Sequence, residues 1–118
     1  MSKQQTIIAA CCLKGKGLHK GKEVNITFHP TEINHGIVFK RTDIKNDNLI
    51  PASAELVTET TRGTVLTNKQ GVSVRTIEHV MAALAGLEID NVLIELDNEE
   101  IPILDGSSAM YVNLLQSI

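Results

Sequence analysis

The segment VRTIEHVMAALAGLEIDN, residues 74–91, contains the change in hydrophobic period that decides the fold. Apolar residues recur in it at the spacing of one helix face: Ile77, Val80, Met81, Leu84 and Leu87. Gly86 supplies a C-terminal stop for such a helix. The spacing therefore predicts one amphipathic helix, with Glu78 and His79 in its first turn.

Before this helix, apolar and polar residues alternate as they do in half-buried β-strands. The predicted strands are QTIIAACCL (5–13), KEVNITFHP (22–30), NHGIVFKR (34–41), PASAELVTET (51–60), GTVLTN (63–68) and GVSVRT (71–76). The glycines of residues 14–22 separate the first two strands as a hairpin connection would. A turn at residues 68–71 joins the last two.

After the helix, the chain returns to a strand and then to a second helix. IDNVLIEL (89–96) is predicted as a buried strand, DNEEIPILDGSS (97–108) as a loop, and SAMYVNLLQSI (108–118) as a closing helix capped by Ser107 or Ser108. Two helices that cover a sheet make an α+β layer.

Length and composition are those of one globular domain, residues 1–118. Hydrophobic residues make up 42% and charged residues 21% of the chain, which is typical of a soluble globular protein and predicts neither intrinsic disorder nor a membrane span. The net charge of −3 argues against a dedicated nucleic-acid surface. The N-terminal residues are too polar for a secretory signal, so a cytosolic protein is expected.

Two features of the N-terminal region allow more than one interpretation. The basic segment CLKGKGLHKGKEV, residues 12–24, could hold an anion through four lysines: Lys14, Lys16, Lys20 and Lys22. Cys11 and Cys12 are neighbours in a predicted strand and lack the spaced partners of a structural zinc site. Both cysteines are predicted to be small buried residues with a structural role.

Glu78 and His79 have two possible explanations. At about 100° per residue, His79 falls on the far side of the helix from the apolar stripe, and Glu78 lies on its flank. An acid in the first turn is stabilised by the helix dipole, which is a structural explanation. Alternatively, the imidazole binds a metal and the carboxylate takes a proton from the attacking water, as in zinc hydrolases.

One histidine is too few for a catalytic zinc site, which needs about three protein ligands. His19, His29 and His35 show no spacing that completes one. Any further ligands are therefore expected outside this chain. Asp105 has a local explanation in an Asp-Gly turn before a capped helix. The other acidic residues nearby are expected to form a solvated rim: Glu95, Asp97, Glu99 and Glu100.

The segment TIEHVMAALAGLEIDNVLIELDNEEIPILDGSSAMYV, residues 76–112, resembles the N-terminal domain of the UDP-3-O-acyl-N-acetylglucosamine deacetylases. Supporting matches occur in the same order upstream, in GKGLHKGKEVNITFHP (15–30), NHGIVFKRTD (34–43) and TETTRGTVL (58–66). The resemblance therefore covers nearly the whole chain, and ordered motifs of this kind are specific. This family of cytoplasmic zinc enzymes commits bacteria to lipid A synthesis.

The resemblance implies a two-layer sandwich of a mainly antiparallel β-sheet with two covering α-helices, similar to ribosomal protein S5 domain 2. It also implies hydrolysis of the acetamide of UDP-3-O-acyl-N-acetylglucosamine to UDP-3-O-acyl-glucosamine and acetate. Glu78 matches the family's general base and His79 a Zn²⁺ ligand. The residues that match the substrate-binding region are His19, Thr60, Thr61, Arg62 and Gly63. Arg62 and Gly63 replace bulkier apolar or sulfur residues found in some members.

The remaining zinc ligands of this family lie in a C-terminal domain that this chain does not contain. The chain alone is therefore expected to be inactive and to need that domain as its partner. Two other functions stay open from the sequence. One is a folded interaction module, and the other is a non-catalytic domain that binds anions through its lysine cluster.

Overall fold

The computed structural model describes residues 4–16, 23–59, 63–102 and 108–116. The strands within these ranges are β1 (Cys11–Lys16), β2 (Glu23–Pro30), β3 (Ile37–Arg41), β4 (Leu49–Pro51), β5 (Val57–Glu59), β6 (Val65–Thr67), β7 (Ser73–Arg75) and β8 (Val92–Leu96). The helices are a 3-10 helix (Ala54–Leu56), α1 (Glu78–Gly86) and α2 (Ala109–Gln116). The predicted α+β class is confirmed. None of the helices in these ranges is long and apolar enough to cross a membrane.

Five strands form the larger sheet, in the order β1-β2-β8-β3-β4. All neighbours are antiparallel except β3 and β8, which run parallel. The register aligns one row of side chains across the five strands: Cys11, Phe28, Ile94, Phe39 and Ile50. The four larger side chains of this row are fully buried, so the row marks the face that meets the core.

Strands β5, β6 and β7 form a separate antiparallel sheet. The turn predicted at residues 68–71 closes its β6–β7 hairpin, where the N–H of Gly71 donates to the carbonyl of Asn68 at 3.0 Å. The Asn68 side-chain amide donates to the carbonyls of Asp47 and Leu49, at 2.7 and 3.0 Å, and so joins the hairpin to β4. Alternation could not reveal this division, because it shows the face of a residue but not its partner strand.

Two predicted strands are wrong in part. The first begins only at Cys11, because the Gln5 carbonyl instead accepts the N–H groups of Asp90 and Asn91 at 2.9 and 3.0 Å. The strand predicted over residues 51–60 is interrupted by the 3-10 helix, in which the N–H of Leu56 donates to the carbonyl of Ser53 at 3.0 Å. Pro51 ends β4, since a proline has no N–H for a continued ladder.

Both helices contribute to the core that the larger sheet forms. The cluster contains Val80, Ala83 and Leu84 from α1, and Tyr111 and Leu115 from α2. Tyr111 packs edge-on against Phe28, with ring centroids 6.3 Å apart. Its hydroxyl donates to the carbonyl of Pro102, and burial raises the pKa of this phenol above its usual range.

The closing helix begins where the sequence predicted, because the Ser108 carbonyl accepts the N–H of Val112 at 3.0 Å. Ser107, the other predicted cap, lies outside the described residues. The prediction for the cysteines is wrong for Cys12, which is exposed, whereas Cys11 is half-buried against the core. Adjacent strand residues point to opposite faces, so only one of the two can reach the core.

Candidate functional site

The end of the β6–β7 hairpin lies against the start of α1. Because Val65 pairs with Arg75, the residues just beyond the hairpin strands, Thr64 and Thr76, lie opposite each other. The Thr64 carbonyl accepts the N–H of Thr76 at 2.9 Å. The Thr64 N–H donates to Oε2 of Glu78 at 3.1 Å. The hairpin therefore holds the carboxylate of the first residue of α1 directly.

The Glu78 carboxylate has one bonded and one unbonded oxygen. Oε1 is buried and has no hydrogen-bond partner among the described residues, in contrast to Oε2. Buried polar atoms in proteins are nearly always hydrogen-bonded, because an unmade bond costs about 1–3 kcal/mol. A side-chain oxygen left in this state is suited to accept a proton or a hydrogen bond from another group.

Gly63 forms one wall of this carboxylate site. A Cβ atom at Gly63 would lie 3.4 Å from Oε2 and 3.7 Å from Oε1 of Glu78. The φ angle of Gly63 is +111°, a conformation that residues with side chains rarely adopt. These distances are ordinary van der Waals contacts, so the backbone conformation, and not a lack of space, favours glycine at this position. The structure thus brings Gly63 and Glu78, both expected at the site, into contact.

His79 lies next to Glu78 and away from the core. It is half-buried and lies on the same helix face as the exposed Ala82 and Gly86, as the helical spacing predicted. No side-chain hydrogen bond or ion pair joins it to another part of the described chain. Its imidazole therefore has a nitrogen available for a metal ion. No group of three or more His, Cys, Asp or Glu side chains within the described ranges could hold such an ion.

The remaining predicted site residues lie outside the described residues: His19, Thr60, Thr61 and Arg62. Asp105, which was expected to have a structural role, also lies outside them. The two other histidines are placed away from Glu78. Nε2 of His29 bonds Oε1 of Glu95 at 2.5 Å, on the sheet face opposite the core row. The exposed His35 bonds the carbonyl of Gly36 through Nδ1 at 3.0 Å. Neither is available to complete a site at α1.

The prediction of a solvated acidic rim is wrong for Glu100. This residue is only 2% exposed, and Thr76 Oγ1 donates to its Oε2 at 3.1 Å. The chain around it runs beside β7: the Arg75 N–H donates to the Glu99 carbonyl at 2.8 Å, and the Ile101 N–H to the Arg75 carbonyl at 3.1 Å. The segment has no period that could signal this burial. Sequence reasoning therefore missed Thr76 and Glu100 as neighbours of the site.

The lysine cluster gains little support as an anion site. Nζ of Lys14 lies 3.0 Å from Oε1 of Glu23, and this hydrogen-bonded ion pair raises the pKa of Lys14. Its charge is therefore matched by a carboxylate on the neighbouring strand. Lys20 and Lys22 lie outside the described residues.

Comparison with known proteins identifies one family. The sequence model of the UDP-3-O-acyl N-acetylglycosamine deacetylase family matches residues 4–118. A UDP-3-O-acyl-N-acetylglucosamine deacetylase of Pseudoalteromonas atlantica is 48% identical over 118 residues, which are 100% of this chain and 39% of the relative. Proteins of the same name from Xanthomonas campestris pv. campestris and Idiomarina loihiensis are 50% identical over 117 residues, 99% of this chain and 38% of each relative. The chain thus spans less than two fifths of these relatives.

Proposed function

Because the chain belongs to the UDP-3-O-acyl N-acetylglycosamine deacetylase family, we propose that it is the N-terminal part of a zinc-dependent hydrolase. The substrate is UDP-3-O-acyl-N-acetylglucosamine, and the products are UDP-3-O-acyl-glucosamine and acetate. The reaction belongs to lipid A synthesis in the bacterial cytoplasm. The observation that carries the proposal is the Glu78 carboxylate beside the His79 imidazole. Oε1 of Glu78 is buried, and no residue in the described ranges bonds either this oxygen or the imidazole.

Glu78 acts as the general base. Hydrolysis breaks the C–N bond of the acetamide, adds the oxygen of water to the acetyl carbon and leaves a proton on the departing nitrogen. A base must therefore take a proton from the attacking water. Oε1 of Glu78, which no residue of the described part of the chain bonds, accepts this proton. The Thr64 N–H holds Oε2 and so fixes the orientation of the carboxylate.

His79 is a metal ligand in this proposal. Its half-buried, unbonded imidazole and the adjacent unbonded carboxylate oxygen fit the edge of a metal site. Zinc held by His79 would supply positive charge, which would polarise the substrate carbonyl and lower the pKa of water. The described residues hold no complete set of ligands. We place the other ligands in the part of the protein that matches the rest of its longer relatives.

The helical layer is the surface on which that remaining part packs. Residues 79–87 and all eight residues of α2 contain no Asp, Glu, Lys or Arg. The outward residues of this layer include Ala82, Ala85 and Gly86 on α1 and Met110 on α2. Helices that face water normally carry charged residues on that side, so an uncharged layer favours a covered surface. A covering domain would also reach Glu78 and His79 at one end of α1.

Two substitutions in the full-length protein test the assignment. Glu78→Gln keeps the shape but cannot accept the proton, so kcat should fall by about 10²–10⁴-fold with zinc retained. His79→Ala should instead lose zinc, which metal analysis after mild chelation measures. Near-parental turnover in both variants, with zinc in place, would show that this pair has no part in the reaction.

The 118-residue chain alone should bind zinc weakly and show no deacetylation, because His79 by itself cannot complete the coordination shell of the metal. Adding the separately produced remaining part tests the alternative of a pure interaction module. Restored deacetylation supports the enzyme, whereas association without turnover supports the module. Tight stoichiometric zinc in the isolated chain would contradict the shared site.

A further inference from the structure

Thr76 and Glu100 form a buried pair at the start of α1 that the proposed reaction does not use directly. Their exposed fractions are 4% and 2%. Oγ1 of Thr76 donates to Oε2 of Glu100 at 3.1 Å, across 24 residues of chain. A carboxylate is rarely buried this deeply unless its hydrogen bonds serve the surrounding structure. The pair therefore needs an explanation beyond the general packing of the core.

The backbone at Thr76 is strained. Its φ angle is +62°, which is unusual for any residue with a side chain and more so for a β-branched one. Such a conformation persists only where the surroundings hold it. The Thr76 N–H donates a hydrogen bond to the Thr64 carbonyl, and the Thr76 hydroxyl donates one to the Glu100 carboxylate. Two separate segments of the chain therefore keep Thr76 in this conformation.

This strained residue lies two positions before Glu78 and borders the same space. A Cβ atom added at Gly63 would lie 3.6 Å from Oγ1 of Thr76 and 3.4 Å from Oε2 of Glu78. The Thr64 carbonyl bonds Thr76, and the Thr64 N–H bonds Glu78. A change in the backbone at Thr76 would therefore move the carboxylate relative to Thr64 and Gly63.

We propose that Thr76 and Glu100 are positioning residues for Glu78. The buried Glu100 carboxylate holds the Thr76 hydroxyl, which keeps the strained turn that sets the direction in which α1 begins. This direction places Oε1 of Glu78 where no group of the described chain bonds it. The inference rests on the proposed function, since it assigns a purpose to the position of the base.

The experiment compares Thr76 variants in the full-length protein with bound zinc. Thr76→Val is nearly isosteric but lacks the hydroxyl, and it should lower kcat by about 10–100-fold while KM changes less than about threefold. Thr76→Ser keeps the hydroxyl and should lose less than about threefold. Thr67→Val is the matched control, because the Thr67 hydroxyl bonds Ser73 at 2.9 Å at the far end of the same hairpin. It should leave kcat unchanged.

Glu100 is tested in parallel. Glu100→Gln retains an oxygen that accepts the Thr76 hydroxyl, so its kcat should stay within about threefold of the parent. Glu100→Leu removes the acceptor and should match the kcat loss of Thr76→Val. Equal kcat values for the two Glu100 variants would contradict the proposed role of the hydrogen bond.

A double variant separates positioning from a general structural role. If Thr76 acts through the base, adding Thr76→Val to Glu78→Gln should lower the residual kcat no further. A second full loss in that background would overturn the proposal. Parental kcat in Glu78→Gln alone would instead overturn the proposed function. If kcat falls in Glu78→Gln but not in a folded Thr76→Val variant, only the positioning role of Thr76 is overturned.

Thr76→Gly keeps the test decisive if the valine variant does not fold. Glycine adopts a φ of +62° without strain, so this variant lacks the hydroxyl but not the backbone conformation. The kcat loss should persist in Thr76→Gly even where the midpoint of urea unfolding equals that of the parent. Parental kcat in this variant would show that the hydroxyl has no positioning role.

Discussion

Leu84 and His79 belong to the same helix but should contribute very differently to stability. Leu84 is 0% exposed within the core, whereas His79 is half-buried outside it. We therefore expect Leu84→Ala to destabilise the 118-residue chain strongly and His79→Gln to change its stability little. The comparison tests whether His79 is placed for a site rather than for the fold.

The size of the effect follows from burial. Leu84→Ala removes three carbon groups, and at about 0.8 kcal/mol each their transfer accounts for about 2.4 kcal/mol. The cavity left behind raises the expected loss into the range of about 2–5 kcal/mol. His79→Gln leaves no core cavity and removes no hydrogen bond to the described residues, so the free energy of unfolding should change by less than about 1 kcal/mol.

Urea unfolding followed by circular dichroism measures both variants. With a slope of about 2 kcal/mol per molar urea, a loss of about 3 kcal/mol lowers the midpoint by about 1.5 M, and His79→Gln should shift it by less than about 0.5 M. The slopes of the two variants should agree with that of the parent. If the midpoint of His79→Gln fell as far as that of Leu84→Ala, the histidine would be a structural residue and the reasoning would be refuted.

Two further predictions concern other parts of the site and sheet. Gly63→Ala should lower the free energy of unfolding by about 1–3 kcal/mol because of its φ of +111°, and it should also lower kcat in the full-length protein. Gly71→Ala is the control: its φ is +88° with nothing within 4 Å, so it should lose stability but keep its kcat. Burial, and to a smaller extent the neighbouring Cys12, raises the pKa of the Cys11 thiol. The thiolate fraction of Cys11 at pH 8 is therefore lower than that of an ordinary cysteine. Cys11→Ser retains the exposed Cys12, and iodoacetamide should alkylate it faster than Cys12→Ser, which retains Cys11. Mass spectrometry measures both rates, and the opposite order would contradict the assigned burial.

The local elements of this protein could be predicted from its amino-acid sequence. The period of 3.6 residues predicted α1, and it placed His79 away from the core because the angle between helical residues is fixed by the backbone. Alternation likewise located most strands, and the motif around Glu78 and His79 carried the family resemblance. These signals succeed because each depends on residues within a few positions of one another.

The contacts between distant segments of the chain became visible only in the folded protein. The Glu78 carboxylate contacts a loop 14 residues away, and the Thr76 hydroxyl reaches Glu100 across 24 residues. Glu100 was expected in solvent, since charged residues in an aperiodic loop are usually exposed. Its burial depends on the pairing of its segment with β7, a long-range contact that no local period encodes.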